Sequence, residues 1–106
     1  MPVIRIDFDK TKISDNDIQS LSKAVQKIVA EITNIEDTPV YAFSPAFSVK
    51  IAPIEIYVQL SAQKIDLDEL HAKMVARVSE WKKAVNFPHP INFTLIPMQW
   101  KFEIEI

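Results

Sequence analysis

The sequence predicts an α+β fold: two β-α-β units forming a four-stranded mixed sheet with two helices on one face, plus a short C-terminal strand. Three observations predict it. Apolar and polar residues alternate at Val3 to Phe8 and at Ile54 to Leu60, the period of a strand with one buried face. Apolar residues recur at helical spacing from Ile18 to Ile32 and from Leu67 to Val85, the mark of an amphipathic helix. Each helical stretch is flanked by strand-like ones, the order in which a helix joins two parallel neighbours.

Taken in order, Ile4, Ile6 and Phe8 define the buried face of the first strand, and Arg5 and Asp7 its other face. A polar turn, Asp9-Lys10-Thr11-Lys12, follows. Ser14 reads as a helix N-cap with Asp17 three residues on, and Asp15 suits the helix N-terminus. Ile18, Leu21, Val25, Ile28, Val29 and Ile32 form one stripe, and Thr33-Asn34 and then Pro39 stop the helix. Val40 to Phe43 is a short strand interrupted by Ser44-Pro45, and Ile54 to Leu60 is the clearest strand. Asp66 with Glu69 repeats the cap signal, and Leu67, Leu70, Met74, Val78, Trp81 and Val85 make the second stripe. Pro88 and Pro90 end that helix, Ile91 to Ile96 is the fourth strand, and Trp100 to Ile106 alternates to the last residue. A ferredoxin-like sheet has the same element string, and periodicity does not separate the two arrangements. Tyr41, Phe43 or Tyr57, depending on register, falls on the sheet face away from the helices. That exposure and the unpartnered terminal strand both point to an oligomer, although an internal hairpin is the plainer explanation of the second.

Composition removes several chemistries. The 106 residues are 48% hydrophobic and 25% charged, the balance of a globular chain, and the length fits a single domain over 1–106. With no glycine, there is no glycine-rich phosphate loop, since a Cβ obstructs the close backbone approach that phosphate requires. With no cysteine, disulfides, thiolate metal sites and thiol nucleophiles are excluded. A net charge of −2 gives no electrostatic case for nucleic acid or an anionic membrane surface. No apolar run approaches the roughly 18 residues of a spanning helix. The early Asp7 and Asp9 argue against a signal peptide, so a cytoplasmic location is the expectation.

Few residues invite chemistry. Pro2 is the most informative: removal of Met1 before a small second residue leaves a free secondary amine. An α-amino group titrates at roughly 7.7–8.0, and burial lowers it further, near the optimum for a general base at neutral pH. The plainer alternative is a proline that begins an edge strand. His71 on the second helix and His89 between two prolines have no i,i+4 partner, and read as structural histidines and not as metal ligands. Lys27 and Glu31 form an i,i+4 pair on the solvent side of the first helix, and Lys82 and Lys83 suit the dipole of the second.

Met1-Pro2 leading into Val3-Ile4-Arg5-Ile6, the strand Pro53-Ile54-Glu55-Ile56-Tyr57-Val58 and the closing Phe93-Thr94-Leu95-Ile96-Pro97, on two β-α-β units, resemble the tautomerase superfamily. That superfamily has the macrophage migration inhibitory factor and 5-carboxymethyl-2-hydroxymuconate isomerase-like fold, and the likeness is strongest to small bacterial proteins with it. It covers nearly the whole chain as architecture, with only the opening motif-like. The resemblance implies a homotrimer with helices outside and sheets lining a central barrel. It implies Pro2 at the base of a pocket between subunits, moving a proton between carbon and oxygen of an enolisable keto acid, without cofactor or metal. Lys12 lies where some relatives hold a substrate carboxylate with arginine, although it also reads as a solvated lysine. Tyr41 stands where others place a second arginine, and Phe47 and Trp100 are candidate apolar walls. The glycine-free stretch from Ser44 to Pro53 departs from the glycine-bearing segment usual in the superfamily. The other reading is a non-catalytic protein of this fold that binds a small ligand or a protein partner at the inter-subunit cleft.

Overall fold

Alternation makes the two central strands. β1 (Val3–Phe8) buries Ile4, Ile6 and Phe8, and β3 (Ile54–Leu60) buries Ile54, Ile56, Val58 and Leu60. Fully burying an aliphatic side chain of this size contributes roughly 1.5–3 kcal/mol. Between and after these strands the computed structural model has α1 (Asp15–Thr33), β2 (Val40–Phe43), α2 (Leu67–Ala84) and β4 (Asn92–Pro97). The structure describes residues 2–49, 51–61, 66–99, 101 and 103–106.

Both expected helix caps form. The Asp17 backbone N–H donates to Ser14 Oγ at 3.2 Å, and the Glu69 N–H donates to Asp66 Oδ2 at 3.3 Å. Each cap satisfies one of the donors that a helix N-terminus leaves free. At the other ends, left-handed residues are needed and no glycine exists to supply them. Asparagine takes the place: Asn34 closes α1 at φ 57°, its N–H donating to Ala30 O, and Asn86 follows α2 at φ 54°.

The strands form one sheet in the order β2-β1-β3-β4. β1 pairs with β2 in parallel and β3 with β4 in parallel, while β1 and β3 at the centre run antiparallel. A ferredoxin-like sheet would place another strand between the two ends of each β-α-β unit, so that arrangement is excluded. Because each helix returns antiparallel to its own strands, α1 and α2 run antiparallel to each other across one face. Ile18, Leu21, Val25, Ile28 and Val29 of α1 and Leu70, Met74 and Val78 of α2 are buried against the sheet.

Three expectations change. Leu67 and Val85, the ends of the second stripe, are exposed at the two ends of α2. Glu31 pairs across to Arg77 of α2 at 2.6 Å, where sequence spacing offered Lys27. The terminal alternating segment forms no strand at its described residues, 101 and 103–106, and Ile104 and Ile106 there are exposed. Alternation becomes a strand only where a neighbouring backbone supplies the ladder.

Candidate functional site

Pro2 stands immediately before β1 and is less than 2% exposed. Val3 pairs with Gln59 and Ile4 with Val58 and Val40, so Pro2 lies at the end of the sheet where β3 finishes and β2 begins. Two backbone bonds close that end: Ile4 N–H to Pro39 O at 3.0 Å and Met98 N–H to Leu60 O at 2.9 Å. Thr38, the only buried polar side chain among the described residues, fixes the entry to β2. Its hydroxyl donates to Ile35 O at 2.9 Å and its backbone N–H to Glu36 O at 2.9 Å. Nothing in the sequence marks Thr38, since one threonine in a polar turn carries no periodic signal.

Lys12 is at the other end. β1 separates them by five residue steps, about 17 Å at the rise of a strand, and Lys12 is exposed in the turn that follows. Within one chain, Pro2 and Lys12 are therefore not brought together. The turn is tightly held: the N–H groups of Lys12 and Ile13 both donate to Asp9 O at 3.0 Å. The Thr11 hydroxyl and N–H donate to Asp9 Oδ1 at 2.6 and 3.0 Å. The Asp9 N–H in turn donates to Pro53 O at 3.0 Å, tying the turn to the start of β3. The Thr11 hydroxyl, then its N–H, hold the Asp9 carboxyl below the usual carboxylate range, with the Lys12 charge helping.

A depressed folded value means stability present above the unfolded range and lost as pH falls through the folded one. Thr11→Val removes the hydroxyl but keeps the N–H. In a carboxyl NMR titration, Asp9 is expected to titrate at higher pH in that variant than in the parent. An unchanged midpoint would show that the hydroxyl does not hold the carboxylate.

Tyr41 belongs to the sheet face turned away from the helices. Register puts Tyr41, Arg5, Tyr57 and Thr94 in one row across the sheet, and Phe43, Asp7, Glu55 and Asn92 in the next. Tyr41 is 53% and Phe43 47% exposed, so all three aromatics that register could have divided share this face. The polar groups between them are paired. Arg5 Nε donates to Asp7 Oδ1 at 2.9 Å, with its guanidinium 5.0 Å from the centre of the Phe43 ring. The Tyr57 hydroxyl donates to Glu55 Oε2, and Asn92 Nδ2 to Glu55 Oε1 at 3.5 Å. The bond to Glu55, then burial, push the Tyr57 phenol above its ordinary value, so it stays a neutral donor.

Phe47 lies in the connector and is 97% exposed, walling nothing within this chain. Trp100 lies outside the described residues. Each histidine makes a side-chain hydrogen bond and a ring contact, His71 with the Phe93 ring and His89 with the Phe87 ring. His71 Nε2 donates to Phe93 O at 3.2 Å, and His89 Nε2 to Asp17 Oδ2 at 3.0 Å, the latter tying the loop after α2 to the start of α1.

No known protein family description matches the sequence, and no curated protein matches it. Solved structures do match in shape. A native fused 4-OT superposes with a TM-score of 0.70 at 14% identity, over 97% of this chain and 92% of the other. A macrophage migration inhibitory factor-like protein from Entamoeba histolytica gives 0.65 at 15% identity, over 96% and 95%. A wild-type fused 4-OT that is a symmetric trimer gives 0.66 at 13% identity, over 91% and 85%. These proteins are all of the tautomerase superfamily. The chain thus has the tautomerase fold, with a proline at the head of its central strand.

Proposed function

We propose that the protein is a tautomerase-like isomerase in which Pro2, freed by removal of Met1, is the general base on a small enolisable carbonyl acid. The burial of Pro2 at the head of β1 is the observation that carries this reading. While Met1 is attached, the Pro2 nitrogen is an amide nitrogen and takes no proton. Once freed, it is a secondary amine at a buried position, and desolvation favours its neutral, basic form. The amine removes a proton from the carbon beside the substrate carbonyl, and the electron pair moves to oxygen as an enolate. The resulting ammonium returns the proton to that oxygen, which gives the enol. The reverse sequence gives the keto form, and no cofactor or metal is consumed.

The distance from Pro2 to Lys12 favours an assembly. In a homotrimer built like the similar fused 4-OT, Lys12 of the partner subunit would hold the substrate carboxylate near Pro2, with Tyr41, Phe47 and Trp100 as candidate walls. The sheet face bearing Tyr41 and Phe43 and the outer strands β2 and β4, which pair with no further strand among the described residues, offer the surface such an assembly needs. A cytoplasmic location fits this reading, and among the described residues no helix is long and apolar enough to cross a membrane.

The test takes the natively expressed chain. Mass spectrometry is expected to show Met1 removed, and the processed protein to accelerate enolisation of phenylpyruvate well above the buffer rate. Retained Met1 in most molecules, or no acceleration by the processed protein, rejects proline catalysis on this substrate class. A processed, inactive chain that still bound keto acids would be the ligand-binding alternative.

A further inference from the structure

We propose that the groove between α1 and α2 docks a short acidic amphipathic helix of another protein. The groove holds about 530 Å³ on the helical surface, the side away from the sheet face that bears Tyr41 and Phe43. Its floor is apolar, made by Ala24 and Ile28 of α1 with Trp81 and Ala84 of α2. The two alanines create the space, since a methyl group stands where a longer side chain would fill the gap. Trp81 is a fixed platform, its ring packed on Phe87 with centroids 5.2 Å apart.

Charge selects the occupant. Lys23, Lys27 and Arg77 rim the groove against one carboxylate, Glu80, in a chain whose net charge is −2. Glu31, the acid placed to neutralise Lys27, is bound instead to Arg77 at 2.6 Å. Among the described residues, no ion pair holds Lys23 or Lys27. Lys82 and Lys83 beside the neighbouring hollow extend the positive surface. Because α1 and α2 run antiparallel, Lys23 and Lys27 face the Trp81–Ala84 end, and the Arg77–Glu31 bridge marks the other end.

From Arg77 to Ala84 the groove runs about two helical turns, roughly 10 Å. That length suits an amphipathic helix laying an apolar i, i+3, i+4 edge on Trp81 between flanking carboxylates. A nucleic acid would present phosphates to an apolar floor and to Glu80 and Glu31, which fits less well. Complementary charge at such a rim sets partner choice and association rate more than total affinity.

The probe is a capped helical peptide of roughly 14 residues, about the length at which isolated helices hold, with leucines on one edge and glutamates beside them. The full chain carrying Trp100→Phe makes Trp81 the only indole reporter. At low salt its emission is expected to change saturably with peptide. The double variant Lys23→Glu, Lys27→Glu is expected to weaken binding about tenfold, 1.4 kcal/mol, and salt to weaken it further. Ala84→Leu, an exposed position, is expected to block binding while leaving the unfolding midpoint unchanged. The proposal is overturned by no saturable change, by equal binding of a lysine-for-glutamate peptide, or by indifference to the charge reversals. Tighter binding of a thymidine oligonucleotide than of the peptide overturns it equally.

Discussion

Alanine in place of Pro2 is expected to lower phenylpyruvate enolisation by about 100-fold or more, within the range that positioned general-base catalysis supplies. The variant is informative because alanine is also a small second residue, so the proposed Met1 removal and free amine apply to it equally. What changes is placement. The pyrrolidine ring fixes its nitrogen relative to β1, whereas the alanine amine turns freely. Removing two buried methylene-sized groups costs about 1.6 kcal/mol of stability, which a domain of this size tolerates. Circular dichroism and sedimentation on the same sample show that fold and assembly survive. In the parent protein kcat/KM is expected to rise with pH through the amine titration, because only the neutral amine accepts a proton. Equal rates for parent and variant, or a flat pH profile, would remove Pro2 from the chemistry.

Ile56→Ala has the largest expected effect on stability. Ile56 is fully buried at the centre of β3, opposite Ile6 of β1 on one side and Phe93 of β4 on the other. The sheet backbone cannot collapse inward around the missing atoms without breaking its ladders, so much of the cavity remains. Truncations of this kind cost about 2–5 kcal/mol, a large fraction of a typical total of 5–15 kcal/mol. Denaturant unfolding is expected to show a lower midpoint with an unchanged slope. A loss below about 1 kcal/mol would mean that the β1–β3 centre is not a packed core. The contrast is Tyr41→Thr on the open face: 53% exposed in the single chain, Tyr41 has little to lose there unless copies associate over it.

Local chemistry made most elements legible before any tertiary contact was known. Ser14 and Asp66 marked both helix starts because capping is decided within three residues, and both caps form. Val40–Phe43 and Ile54–Leu60 agree with expectation to the residue, bounded by Pro39, Ser44-Pro45 and Pro53. Features set by partners distant in sequence were less legible. Leu67 and Val85 continue an apolar stripe, yet both stay exposed at the two ends of α2. Glu31 had a local cation and took a more distant one, since Arg77 reaches it across the helix pair. The terminal alternation from Trp100 runs to the last residue, but its described residues have no ladder partner.

The candidate site divides the same way. The sequence by itself singled out Pro2 as the one unusual residue on offer, because the absence of glycine and cysteine removed the common alternatives. It also determined two buried central strands and two capped helices, since these follow from spacing along the chain. Only the tertiary structure decided that β1 lies directly beside β2 and β3, which excludes the ferredoxin-like sheet and gives the tautomerase fold. It also put Tyr41, Phe43 and Tyr57 on one face and set Pro2 and Lys12 at opposite ends of a strand. The reason is physical: periodicity records which face of an element is buried, whereas pairing and register depend on backbone hydrogen bonds between residues far apart in sequence.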